Sequence, residues 1–176
     1  MAPVAAGARK RSFAPVIDGS TRVLVLGSLP GEISLARAQY YAHPRNQFWR
    51  LLEPIINAPL VELGYDARLD ALQAAGLGLW DVIHSARRAG SLDGAIRASR
   101  PNALKRLVDA HPGLRALAFN GATAAALGRR LLAEPGALAL LDLPSSSPAY
   151  TLPLTDKQRD WDSLRPYLAG VERGRA

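Results

Sequence analysis

The chain has 176 residues, 48% hydrophobic and 21% charged, which is the length and composition of one packed domain; it has no cysteine, which excludes disulfides, thiol nucleophiles and cysteine-ligated zinc or iron–sulfur centres. No run approaches the ~20 apolar residues of a membrane-spanning helix, and Met1 to Ser12 is short, basic and rich in Ala and Gly without the apolar core of a secretory signal, so a cytoplasmic protein is expected. Against 15 acidic residues stand 22 basic ones, 19 of them Arg; the net charge of +7 and a pI near 10.4 favour a polyanionic partner.

Residues 1–12 are expected to form a mobile basic arm, 13–169 a single domain and 170–176 a frayed tail. Thr21 to Ser28 is a β-branched and leucine run ended by Gly27, Ser28, Pro30 and Gly31, which predicts a buried strand followed by a tight loop. Gln47 to Ile56 has a helical pattern that Pro54 bends or ends, and Arg68 to Ala75 is a second helical stretch. Gly76 to Ile83 predicts the next strand, Asn102 to Ala110 a helix with Asn102 as N-cap, and Leu114 to Phe119 a third strand. Gly121 to Leu132 predicts a helix, Leu138 to Leu143 a fourth strand, and Thr155 to Leu168 a last helix capped by Thr155 with Asp156 at its positive end. Strands alternating with helices give an α/β protein: a three-layer αβα sandwich around a central, mostly parallel four-stranded sheet.

Ligands of such sheets bind outside the carboxyl ends of the strands. The loops there are unusual in composition. Gly27 to Gly31, GSLPG, has two glycines that let backbone approach a ligand and a proline that stiffens the turn; it fits neither the Walker A nor the dinucleotide pattern, and a turn without chemistry reads equally well. Tyr40 to Trp49, YYAHPRNQFW, packs four aromatics, a His, an Arg and an Asn into one loop, in a chain that is 6% aromatic. Aromatic faces stack on nucleobases, and Asn or His reads a base edge or holds a water. Phe48 and Trp49 fit core positions at a helix start with Asn46 as N-cap, whereas Tyr41, His43 and Asn46 fall on the loop and suit a site. Pro144 to Tyr150, PSSSPAY, sets three hydroxyls in a proline frame, suited to phosphate oxygens or to a solvated turn. His43, His84 and His111 lack metal-ligand spacing, so neither metal nor cofactor is expected; Asp81, after Trp80, is the carboxylate best placed for a site.

In this order and spacing, G-S-L-P-G, then Y-Y-A-H-P-R-N-Q-F-W, then P-S-S-S-P-A resemble the uracil-DNA glycosylase superfamily, over about residues 16–168, and within it the hypoxanthine-DNA glycosylase branch. The resemblance implies a base pocket walled by Gly27, Ser28, Leu29, Pro30 and Gly31. Leu29 stands where mismatch-specific relatives carry a water-handling Asn, and the catalytic asparagine maps instead to Asn46, a departure that argues against efficient uracil excision. Pro144 to Pro148 map to the loop that presses on the minor groove, with Tyr150 where relatives often have Asn. Asn120, after the third strand, maps to a pocket edge or helix cap.

The reaction implied by the resemblance is hydrolysis of the N-glycosidic bond of a deaminated base flipped out of DNA, with no lysine in the motifs to form a Schiff base. Tyr41 or Phe48 would stack on the base, His43 and the loop amides would answer developing charge, and Asp81 would stabilise a cationic sugar. Arg45, Ser145, Ser146, Ser147 and Pro148 would contact the DNA backbone, double-stranded or single-stranded. A monomer is expected. The alternatives are a uracil or xanthine glycosylase of the same fold, a non-catalytic nucleic-acid-binding domain, and an enzyme acting on free nucleotides.

Overall fold

The computed structural model describes residues 7–169. Four parallel strands form the central sheet: β2 (Val23–Gly27), β3 (Leu77–Asp81), β6 (Ala116–Asn120) and β7 (Ala139–Leu143), in the order β3-β2-β6-β7. The register sets Val23 opposite Leu77 on one side and Ala116 on the other. Because side chains alternate along a strand, Val23 and Val25 face one layer while Leu24 and Leu26 face the other, and both pairs are fully buried. The first face packs on α2 (Phe48–Ile56), α3 (Tyr65–Ala74) and α6 (Leu154–Trp161) through Phe48, Leu51, Leu72 and Trp161. The second packs on α4 (Leu104–Ala110) and α5 (Ala122–Leu131) through Leu104, Ala124 and Ala125. The expected three-layer sandwich with a four-stranded sheet is therefore present. No helix among the described residues is long and apolar enough to cross a membrane.

A second, three-stranded antiparallel sheet was not expected. It joins β1 (Arg9–Arg11), β4 (Ile83–Arg87) and β5 (Arg97–Pro101) in the order β1-β4-β5. The helix α1 (Glu32–Arg37) is likewise additional. The sequence of β5, RASRP, is exposed at every position, so it carries no apolar period; only pairing with β4 makes it a strand. Residues 9–11, expected within a mobile arm, are the third strand of this sheet, bonded along Ser85 to Arg87. Residues 1–6 and 170–176, the rest of the expected arm and the tail, lie outside the described residues.

The helix caps also differ from expectation. Asn102 does not cap α4: it is buried, and its amide donates to the Asp81 carbonyl (2.7 Å) and to Ser12 Oγ (3.1 Å). Thr155 lies inside α6, whose N-cap is Pro153, although Asp156 does occupy the first turn. The expected long last helix is divided into α6, a 3₁₀ turn at Asp162–Leu164 and α7 (Arg165–Leu168).

Candidate active site

The carboxyl ends of β2, β3 and β6 open on a cavity of about 550 Å³. Residues 27–31, Tyr41, His43, Asn46, Asp81, Asn120 and 145–148 all line it, so the fold brings together loops spread over more than a hundred positions of sequence. Phe48 and Arg45 do not line it. Phe48 is fully buried beneath Tyr41, the two rings stacked with centroids 3.7 Å apart, so it supports the cavity wall and offers no face to a base. Arg45 is on the exposed outer side of the turn.

At the floor stand two unpartnered polar groups. Asp81, 4% exposed, ends β3 beside Gly27 at the end of β2; its Oδ2 is buried without a hydrogen bond, and so is the Tyr41 hydroxyl. A Cβ added to Gly27 would lie 2.6 Å from Asp81 Oδ1 and 3.1 Å from the Tyr41 hydroxyl, so only glycine leaves these groups room. Tyr41 reaches this place with a left-handed backbone (φ 53°), a conformation rare for an aromatic residue and consistent with strain held at a functional site. Burial, and then the charge of Asp93, push the Asp81 carboxyl up to about 7 against the pull of Arg88. Burial likewise pushes the Tyr41 phenol up, aided by Asp81 and opposed by the Asn120 amide nearby.

Asn46 begins the turn into α2. Its Oδ1 accepts a hydrogen bond from the Phe48 amide (3.0 Å), an Asx-type cap, although Gln47 holds the N-cap position. Because only an oxygen can accept that bond, the amide is oriented, and Nδ2 is left as a donor. His43 Nδ1 accepts from the Arg45 amide (3.1 Å), which leaves Nε2 as the ring's remaining donor position.

The serine loop is held from below. Asn120 and Ser146 exchange two hydrogen bonds of 2.9 Å, side chain to side chain and backbone to side chain, and both are buried. Ser146 is thus held from below by Asn120, which acts as a brace; the α5 N-cap is Gly121. Gly121 has φ 100°, and a Cβ there would crowd Ser145 at 3.2 Å. The half-buried Ser145 and Ser147 keep their hydroxyl protons free, since each oxygen accepts a backbone amide two residues on. Lys157, buried on α6, donates to the Tyr150 carbonyl (2.7 Å), and Trp161 donates to that of Pro144 (2.9 Å).

Sequence reasoning missed the segment between β4 and β5. Arg88, 1% exposed, donates to the carbonyls of Leu29, Pro30 and Gly90. Ser28 Oγ donates to Asp93 (2.6 Å), and Ser91 Oγ accepts from the Glu32 amide (2.9 Å). Ser91, Leu92 and Asp93 line the cavity, as does Tyr150 on the serine loop. The available signal was the turn-rich run Gly90, Ser91, Asp93 and Gly94 following two arginines.

The family model described as the uracil DNA glycosylase superfamily matches residues 14–168. A protein of Methanosarcina barkeri named hypoxanthine DNA glycosylase is 45% identical over 113 residues, covering 64% of this chain and 72% of that one. A protein of the same name from Methanosarcina acetivorans is 36% identical over 155 residues, covering 88% and 97%. A solution NMR structure from M. acetivorans, described as a candidate uracil DNA glycosylase, superposes with a TM-score of 0.80 at 34% identity, over 92% of this chain and 99% of its own. With its strand order, its cavity at the strands' carboxyl ends and these matches in agreement, the chain belongs to the uracil DNA glycosylase superfamily.

Proposed function

We propose that the protein is a monofunctional DNA glycosylase that removes deaminated bases, hypoxanthine foremost, from DNA after extruding the nucleotide into this cavity. The observation that carries the choice of base is the unpartnered pair at the floor, Asp81 and Tyr41. Hydrolytic deamination turns the amidine edge of adenine or cytosine into a lactam, so a ring nitrogen that accepted a hydrogen bond becomes an N–H donor beside a carbonyl. An ionised carboxylate only accepts, whereas a phenol donates. Asp81 therefore suits the new N–H and Tyr41 the new carbonyl, while the unmodified base would set a lone pair against the carboxylate. Rejection by an unpaired buried group is the stronger kind of selectivity. The two Methanosarcina relatives named hypoxanthine DNA glycosylase support the same substrate.

In the reaction the bond from C1′ to the base nitrogen breaks with both electrons leaving on the base. Water then bonds to C1′, and its proton passes to base or solvent. Positive charge on the sugar and negative charge on the base peak before water has bonded, so donors aimed at the base lower the barrier. Asn46 Nδ2, the Tyr41 hydroxyl and the amides of residues 28, 29 and 31 are those donors. Lys157 is engaged behind the serine loop and does not line the cavity, which favours simple hydrolysis over a Schiff base. Every group named comes from one chain, so a monomer suffices.

The test is strand cleavage of end-labelled duplexes carrying one deoxyinosine, deoxyuridine or deoxyxanthosine, incubated without metal and then treated with hot alkali. Alkali-dependent cleavage, fastest at deoxyinosine, is expected. Turnover of free deoxyinosine with no action on DNA would overturn the reading.

A further inference from the structure

The antiparallel sheet sets arginine against arginine. Arg9 on β1 lies directly opposite Arg87 on β4, and Arg87 directly opposite Arg97 on β5; in the next row Arg11 and Arg100 flank Ser85. Directly opposed residues share one face with Cβ atoms ~5 Å apart, a placement in which like charges destabilise the sheet. All five arginines are exposed, and among the described residues none forms an ion pair. Arg9 donates to Ser85 Oγ (3.0 Å), and Arg97 to the Gly94 and Ile96 carbonyls (2.8 Å each), which are neutral partners. Lys10, on the other face of β1, is instead engaged with Glu32 (3.1 Å) and the Gly90 carbonyl. Lys10 is thus fastened to the domain, while five arginines are gathered on the other face around the buried Ser85. Charge on edge strands guards against pairing with another chain, which accounts for β1 and β5 but not for Arg87 on the central strand.

The position of the rows gives the repulsion a use. Arg87 and Arg97 flank the segment that carries Ser91, Leu92 and Asp93, so the cationic face starts at the cavity rim. Two interstrand spacings of ~4.8 Å make the three-arginine row about 10 Å long, enough to reach two or three phosphates at ~3.4 Å of axial rise each. The guanidinium fork matches phosphate oxygens in pairs.

We propose that this face binds the phosphodiester backbone of the duplex arm beside the extruded nucleotide, with the Arg9, Arg87 and Arg97 row supplying the main contacts. The proposal rests on the glycosylase reading for its partner and adds a binding surface that none of the cavity loops provides. Phosphate contact relieves the cross-strand repulsion, so binding also tightens the sheet that braces residues 27–31.

The experiment measures affinity for an undamaged duplex over a range of salt, and excision kinetics on a deoxyinosine duplex, for the parent, the Arg9→Ser/Arg87→Ser/Arg97→Ser triple variant and the matching triple Lys variant. The slope of log affinity against log salt is expected to fall by about two to three in the serine variant, at ~0.9 per phosphate, and to stay near the parent's in the lysine variant. KM should rise at least tenfold in the serine variant while the single-turnover rate at saturating enzyme holds. Should the triple variant not fold, Arg87→Ser alone is expected to lower the slope by about one. An unchanged slope and KM would overturn the proposal, as would unchanged duplex binding accompanied by lost affinity for poly-glutamate, which would assign the face to an acidic protein. A parent that binds duplex with this slope dependence yet excises no base would sink the glycosylase reading and leave the surface standing; a parent that excises but whose slope ignores the arginines would do the reverse.

Discussion

Asn120 and Ser146, 26 positions apart, exchange two hydrogen bonds: the amide of Asn120 donates to Ser146 Oγ while its oxygen takes the Ser146 N–H. The backbone carbonyl of Ser146 in turn accepts from the Gln47 amide at 3.0 Å, so one buried serine ties β6, the serine loop and the turn bearing Asn46 together. Replacing Asn120 with Ala leaves the Ser146 N–H buried without a partner, at a cost of about 2 kcal/mol. Thermal unfolding should show that loss, and excision should fall with it because Asn46 loses its support.

Asn46 offers a clean separation of capping from chemistry. Asn46→Asp keeps an oxygen for the Phe48 amide but replaces the Nδ2 donor, whereas Asn46→Ala removes both. The Asp variant is expected to unfold within about 0.5 kcal/mol of the parent, and the Ala variant about 1 kcal/mol below it. Both should lose excision by roughly a hundredfold, the scale of one transition-state donor. An Asp variant that retains full excision would remove Nδ2 from the mechanism.

Asp81 links stability and activity to pH in opposite directions. Its folded value of about 7 lies above the 3.8 of an unperturbed carboxyl, so between those values the native state binds more protons than the unfolded chain. Its contribution to stability is therefore full below pH ~4 and is lost as pH rises through about 7, a change of up to about 4 kcal/mol. Chemical denaturation across this range should show the decline, and Asp81→Asn should remove it and be more stable than the parent at pH 8. Excision runs the other way. Reading the lactam N–H needs the carboxylate, so kcat/KM should rise through pH 7, and the Asn variant should be slower with that limb flattened.

Arg88 secures the loop that forms the cavity wall. Arg88→Met keeps much of the buried bulk but strips the Leu29 and Pro30 carbonyls of their donor, at about 2–4 kcal/mol for the two. Hydrogen exchange should report faster opening at the amides of Val82, Ile83 and Leu35, which donate to the Gly27, Ser28 and Gly31 carbonyls, than at those of β6, together with slower excision. Uniform loss of protection across the sheet would mean that Arg88 supports the whole domain and not this loop.

Much of the molecule was legible one residue at a time. The four central strands declared themselves as short apolar runs between Gly, Pro, Asn and Asp; three of them are buried on both faces, and such a strand needs no partner to explain its composition. Their carboxyl ends located the loops, and the loop compositions located Gly27, Tyr41, Asn46, Asp81 and the serines, which one cavity does unite. Long-range pairing decided the rest. The arginine-rich strands β1 and β5 have no hydrophobic period and exist by virtue of hydrogen bonds to β4, which no local pattern encodes. The same holds for single groups: Ser146 looks like its two neighbours in sequence, Asn102 looks like a cap, and Arg88 looks like surface charge, yet each is buried against a partner 21 to 59 positions away. Composition fixes which segments must leave water, whereas the fate of a polar group depends on whether a complementary group arrives beside it, and only the closed chain brings that about.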